Sequence, residues 1–172
     1  MIIISDLEQI KLAAAEKETE NEEFRSYLRQ QDSAKMDAIV HQLNDTVSSA
    51  VDCTKCGNCC KSLMINVTAK EMAGLATYLE RSISEVKDEY IEESAQGQLI
   101  INSIPCHFLQ GTVCSIYEQR FTECREFPHL HKPNFTERLF GTIIMYYAMC
   151  PIIFNVVEQL KQELGYNKTL AG

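Results

Sequence analysis

The first 52 residues of this 172-residue chain contain no cysteine. A basic stripe is missing too. Net charge is −8, with ten acidic against five basic side chains in residues 1–50, and four of each in residues 101–140. A nucleic-acid groove therefore has little support, and the acidic excess reads as a solvated face. No Gly-rich strand–helix fingerprint for a nucleotide-like cofactor occurs, and no internal repeat or low-complexity tract. The opening Met1-Ile2-Ile3-Ile4-Ser5-Asp6 lacks a basic n-region, a sustained apolar stretch and a small-residue cleavage site, so no signal peptide is expected.

Charge is also absent from Leu139 to Val157, nineteen residues long enough to span a bilayer. That run contains Cys150-Pro151 and Asn155, and a proline removes a backbone donor where lipid offers no substitute. No Lys/Arg-rich flank orients it. The expectation is two buried segments meeting at Cys150-Pro151, the second a helix with proline in its first turn, and no membrane span.

Against these absences stand eight cysteines: Cys53, Cys56, Cys59 and Cys60 within C-T-K-C-G-N-C-C, then Cys106, Cys114, Cys124 and Cys150. Such crowding has two plausible causes, a disulfide framework or thiolates gathered round metal. A reducing cytoplasm, the expected location, favours metal. A disulfide between neighbouring Cys59 and Cys60 would also strain the peptide joining them.

A C-x2-C step lets two sulfurs converge on one ion, and glycine just after the second cysteine lets the backbone turn. Gly57 holds that place. Cys59 adds a third ligand in register, as in ferredoxin runs, but Leu63 stands where the fourth would be. Any cluster must then recruit a distant residue. Adjacent Cys59 and Cys60 are expected to diverge, and eight thiolates would suit two four-coordinate centres. Those could be closed zinc sites, or an iron–sulfur cluster with four thiolates left over. Lys55, Lys61, Arg120 and Arg125 lie near cysteines in sequence and could offset thiolate charge. His129 and His131 read as loop residues, and His107 could support a ligand from outside the coordination sphere.

Capping boxes at Ser5-Asp6-Leu7-Glu8, Thr68-Ala69-Lys70-Glu71 and Ser82-Ile83-Ser84-Glu85 mark helix starts. Helices are expected near 6–30, 34–50, 69–79, 85–93 and 151–164, the last ended by Gly165. Met36, Ile39, Val40, Leu43, Val47 and Val51 form the stripe of an amphipathic helix. Short strands are expected at 63–67 and 98–104. Gln110-Gly111-Thr112 should turn a hairpin carrying Cys106 and Cys114. Residues 116–120 read as a short helix and 127–136 as irregular. The expected fold is mainly α with a few short strands: a small metal-stapled cysteine-cluster domain, 51–172, packed on an N-terminal helical hairpin, 1–50. The acidic helices of that hairpin could also serve a protein partner.

Together, Cys53-Thr54-Lys55-Cys56-Gly57-Asn58-Cys59-Cys60, Pro105-Cys106-His107-Phe108-Leu109, the segment from Cys114 to Arg120, Cys124-Arg125-Glu126-Phe127-Pro128 and Cys150-Pro151 resemble the YkgJ-type cysteine-cluster family. Its domain is described as zinc- or iron-chelating. The resemblance implies metal or iron–sulfur binding through the eight cysteines, in bacterial cytoplasmic proteins mostly without assigned reactions. Phe121 stands where that family tends to have proline. The motif is also similar to that of flagellin lysine methylases. Two classes of function follow: a binding protein whose metal is structural or electron-carrying, and an iron–sulfur or zinc enzyme acting on a partner or small molecule, with methyl transfer one example.

Overall fold

Side-chain capping decides where the first helices begin. In the computed structural model, which describes residues 2–166, the Asp6 carboxylate accepts the Gln9 amide at 2.8 Å and opens α1 (Leu7–Glu16). The cap is therefore Asp6 and not Ser5. The single helix expected over 6–30 is two. A break at Lys17, whose ammonium pairs with the Glu158 carboxylate, separates α1 from α2 (Glu18–Leu28). Asp32 caps α3 (Ser33–Ala50), which buries Met36, Val40 and Val47 of the expected stripe.

By its contacts the chain divides into two units: Met1–Asp52 with Pro128–Gly172, and Cys53–Phe127. Residues 128–166 thus pack with the N-terminal helices, a grouping that cuts across the sequence-based division at residue 50. In the first unit the C-terminal helix, Pro151–Glu163, lies along α3 and buries Ile152, Ile153, Val156, Val157 and Leu160. Pro151 is in its first turn and Gly165 follows its end at φ +59°, both as expected. Asn155, a buried polar residue, accepts the Ile4 amide at 3.0 Å and donates to the Ile4 and Pro151 carbonyls at 2.7 Å. The irregular 127–136 stretch is organised by Arg138, which donates to the carbonyls of His129, Lys132 and Pro133. Asp37 accepts the Asn134 and Phe135 amides at 2.8 Å. Phe140–Met145 forms a π-helix, so the uncharged run from 139 to 157 is two separate helical pieces. Among the described residues no helix is long and apolar enough to cross a membrane.

The second unit opens with a 3-10 turn, Cys53–Lys55, and the short helix α4 (Asn58–Ser62), which the sequence reading did not include. Strand β1 (Asn66–Val67) leads to α5 (Ala69–Tyr78) and α6 (Ile83–Tyr90), both closed by the reciprocal capping boxes expected at Thr68/Glu71 and Ser82/Glu85. Residues Ile91–Glu93, expected as the end of α6, are strand β2. They pair antiparallel with β3 (Leu99–Ile101), which also pairs with β1, giving the sheet order β1-β3-β2. The hairpin β4 (Leu109–Gln110) and β5 (Val113–Cys114) follows, then a 3-10 turn at Tyr117–Gln119 and α7 (Thr122–Glu126). Val67, Leu75, Val86, Ile101, Phe108, Ile116 and Phe121 are central to its hydrophobic core, and Cys106, Cys114 and Cys124 pack against that core. The fold is mainly helical with few short strands, as the sequence indicates.

Candidate metal centre

Backbone geometry gathers the early cysteines. The Cys53 carbonyl accepts the amides of Cys56 at 3.1 Å and Gly57 at 3.2 Å, and Gly57 at φ +61° turns the chain into α4, which carries Cys59 and Cys60. Glycine is required there twice over. A side chain would take up the left-handed conformation at a cost, and its Cβ would lie 2.8 Å from the Thr112 carbonyl oxygen and 2.9 Å from its Cα. Gly57→Ala should therefore push the β4–β5 turn away from the early cysteines. We expect it to lower stability by about 1–3 kcal/mol, measured by urea denaturation, and to weaken metal retention. A loss below about 0.5 kcal/mol would show that the close approach is dispensable.

The later cysteines are tied to this run by backbone. The Cys106 amide donates to the Cys60 carbonyl at 2.8 Å. Two residues beyond Cys106 the Phe108 amide is directed at its sulfur, and the Ile116 amide meets the Cys114 sulfur in the same way. Hydrogen bonds of this kind stabilise thiolate over thiol. Cys124, in α7, is positioned by two carboxylates. Glu71 accepts the Thr122 amide at 2.6 Å while capping α5. Glu123 accepts both the backbone amide and the side-chain amide of Asn66 at 2.8 Å. Burial acts upward on the Glu71 carboxyl, but the donors at Thr122 and Thr68 prevail and hold it down to about 2. Phe121 has φ −59°, close to the angle a proline ring fixes. Its ring is buried beside Phe108, with centroids 6.4 Å apart.

Cys53, Cys59, Cys60, Cys106, Cys114 and Cys124 line one cavity of about 70 Å³, together with Leu63, Ile65, Phe108, Phe121 and Arg120. Cys56 is in the same turn but outside that lining. Cys150 belongs to the other unit, buried at the head of the C-terminal helix. No disulfide joins any of the eight cysteines. Cys59 and Cys60 do not diverge as expected: their sulfurs are 4.0 Å apart at the same cavity. The contact between the two thiols, with burial, pushes the Cys59 thiol up, and the same contact lowers Cys60. Burial pushes Cys106 and Cys114 up, and Cys124 up to about 12. Among the described residues no group of three or more Cys, His, Asp or Glu is set to hold an ion as it stands.

The donor set fits a soft metal: six sulfurs on one cavity, amides aimed at two of them, and a guanidinium at its wall. Two of the histidines have partners away from the cysteines. His107 pairs with Asn102 at 2.6 Å and His41 with the Lys132 carbonyl at 3.2 Å.

Residues 52–142, just over half of the chain, match the model of the CxxCxxCC family, described as "Putative zinc- or iron-chelating domain". The chain belongs to this family. The match takes in all seven cysteines of the Cys53–Phe127 unit and ends before Cys150. No curated protein and no solved structure matches the chain. The CxxCxxCC run carries the first four of those cysteines, and the positioning carboxylates Glu71 and Glu123 lie within the matched region as well. Sequence reasoning gave neither carboxylate a role at the site. Glu71 was visible only as a helix cap, and its second bond, to Thr122, links residues 51 apart.

Proposed function

We propose that this protein binds zinc or an iron–sulfur centre through cysteine thiolates, and that the metal serves a structural or electron-carrying role in the Cys53–Phe127 unit. The observation that carries this reading is the cavity lined by six cysteines drawn from both halves of the motif. Cys56, in the same turn, is a seventh ligand candidate and Cys150 an eighth. A bound metal would supply a multivalent cation that joins sequence-distant thiolates and closes the chain between Cys60 and Cys106. The residues themselves provide sulfur donors, directed amides and an apolar wall. Metal uptake must remove protons from Cys59, Cys106, Cys114 and Cys124, whose thiols are all raised, so apparent affinity should rise with pH. Eight cysteines without a disulfide suit a reducing compartment, the cytoplasm.

Six thiols exceed the four of one tetrahedral site. That surplus favours a second reading, in which two thiols serve a second ion or chemistry on a small molecule or protein partner. One experiment tests the metal-binding reading: anaerobic purification, then metal and acid-labile sulfide analysis on wild type and on Cys60→Ser and Cys106→Ser. Stoichiometric zinc without sulfide identifies a zinc site, and iron with matching sulfide a cluster. Either should fall sharply in both variants. Protein that contains no metal and titrates as eight free thiols would overturn the proposal.

A further inference from the structure

Four cations stand near cysteines in the sequence, but they are not equivalent in space. Lys55 and Lys61 are exposed. Arg125 is used internally, donating to the Arg120 carbonyl and, at 3.1 Å, to the Thr122 hydroxyl. Arg120 is the one charged side chain among the described residues that line the cysteine cavity. Its guanidinium carbon lies 3.6 Å from the centroid of the Tyr117 ring, a stacking that fixes a planar cation. Its Nε is buried and has no hydrogen-bond partner.

An unpartnered buried N–H is costly in a native structure and calls for an acceptor. Four thiolates on a divalent ion leave two negative charges in excess, and the surrounding wall of Leu63, Ile65, Phe108, Ile116 and Phe121 offers that charge no solvation. A guanidinium is suited to this place. It is weakly hydrated, permanently charged and directional in its donors.

We propose that Arg120 is the charge-balancing residue of the thiolate centre, its Nε–H donating to a metal-bound sulfur and thereby setting the affinity and electronic character of the site. Tyr117 holds the guanidinium plane and Arg125 holds the Arg120 backbone. Arg120 is therefore a positioning and tuning residue and not a ligand. This role rests on the metal-binding reading given above.

The test uses the full chain, stripped of metal under reducing conditions, with Zn²⁺ and Co²⁺ as probes. Zinc dissociation constants are measured by competition with a chromophoric chelator for wild type, Arg120→Met, Arg120→Lys and Lys61→Met. Sulfur-to-cobalt charge-transfer bands are recorded for each. Loss of an outer partner of a metal ligand typically costs ten- to a hundredfold in affinity, so Arg120→Met should weaken zinc binding by about that factor and shift the cobalt band. Lys61→Met should change affinity by less than about twofold, because its charge is solvated. Arg120→Lys, which keeps the charge without the planar fork, should fall between. Affinity and cobalt spectrum of Arg120→Met indistinguishable from wild type would overturn the proposal, as would equal losses in Arg120→Met and Lys61→Met. If Arg120→Met lowers the thermal stability of the metal-free protein, Arg120→Lys decides. A shifted cobalt band in the folded lysine variant supports the N–H···S bond, and an unshifted one refutes it. Wild-type protein that takes up neither ion would instead overturn the metal-binding reading itself.

Discussion

Metal removal should abolish most hydrogen-exchange protection in residues 53–63 and 104–127 while leaving the helices α1, α2, α3 and Pro151–Glu163 protected. Unfolded thiols are not preorganised, so metal-binding energy appears as folding energy, on the order of 10 kcal/mol for a structural zinc site. That is comparable to the stability of a whole domain, roughly 5–15 kcal/mol, and the Cys53–Phe127 unit is small enough to depend on it. Its β1–β3–β2 sheet, α5 and α6 retain an apolar core, so their protection should fall less than that of the cysteine-bearing turns. The first unit holds none of the seven clustered cysteines and has its own buried side chains, among them Phe24, Met36, Phe135 and Ile153. Hydrogen exchange is compared on metal-loaded and chelator-treated protein, with elemental analysis first proving that the metal has gone. Unchanged protection at residues 53–63 and 104–127 in proven metal-free protein would show that the cysteines do not staple this unit.

What the sequence disclosed about the fold was what local chemistry decides. The Thr68/Glu71 and Ser82/Glu85 boxes formed because each needs only residues three apart. The first box shifted by one because Asp6, as good a cap as Ser5, adjoins it. Non-local partners were not legible. Ile91–Glu93 continues the helical pattern of α6, yet pairing with Leu99–Ile101 makes it a strand. The stripe of α3 announced a buried face, but apolar side chains carry no address, so nothing indicated that Pro151–Glu163 would cover it.

The candidate site divides in the same way. Cysteine identity and the need for Gly57 were legible from C-x2-C-G. The steric reason for Gly57 was not, because Thr112 approaches it from 55 positions away. Cys59 and Cys60 were expected to face apart, since adjacent side chains usually diverge. Both nevertheless reach one cavity from the short helix α4. Among the four nearby cations sequence distance gave no ranking. Exposure of Lys61 and the Tyr117 stacking of Arg120 supply it.

Replacing Lys161 should destabilise the first unit more than any other surface-distant polar change in it. Its ammonium is nearly excluded from solvent and donates to Glu20 at 2.6 Å, Asn21 at 2.7 Å and Glu158 at 2.8 Å. Glu158 also accepts Tyr147 at 2.8 Å and pairs with Lys17. Removing one partner of a buried ion pair costs about 3–5 kcal/mol. Glu20 and Glu158 keep some exposure and Lys17 stays, so Lys161→Ala should cost roughly 3 kcal/mol in urea denaturation, the low end of that range. Adding Glu158→Gln should restore part of the loss, because the stranded charge is then removed; a double-mutant cycle isolates that coupling. Acid stability carries the same signature. Burial acts upward on the Glu158 carboxyl, but its bonds to Lys161, Lys17 and Tyr147 prevail and lower it. A carboxyl lowered on folding contributes stability above its unfolded value near pH 4.3, and that contribution disappears as pH falls below it. In Lys161→Ala the largest of those donors is gone, so the acid unfolding midpoint should move to higher pH. A cost below about 0.5 kcal/mol with an unmoved acid midpoint would mean that Lys17 and Tyr147 alone satisfy Glu158, and that Lys161 is a bystander in this core.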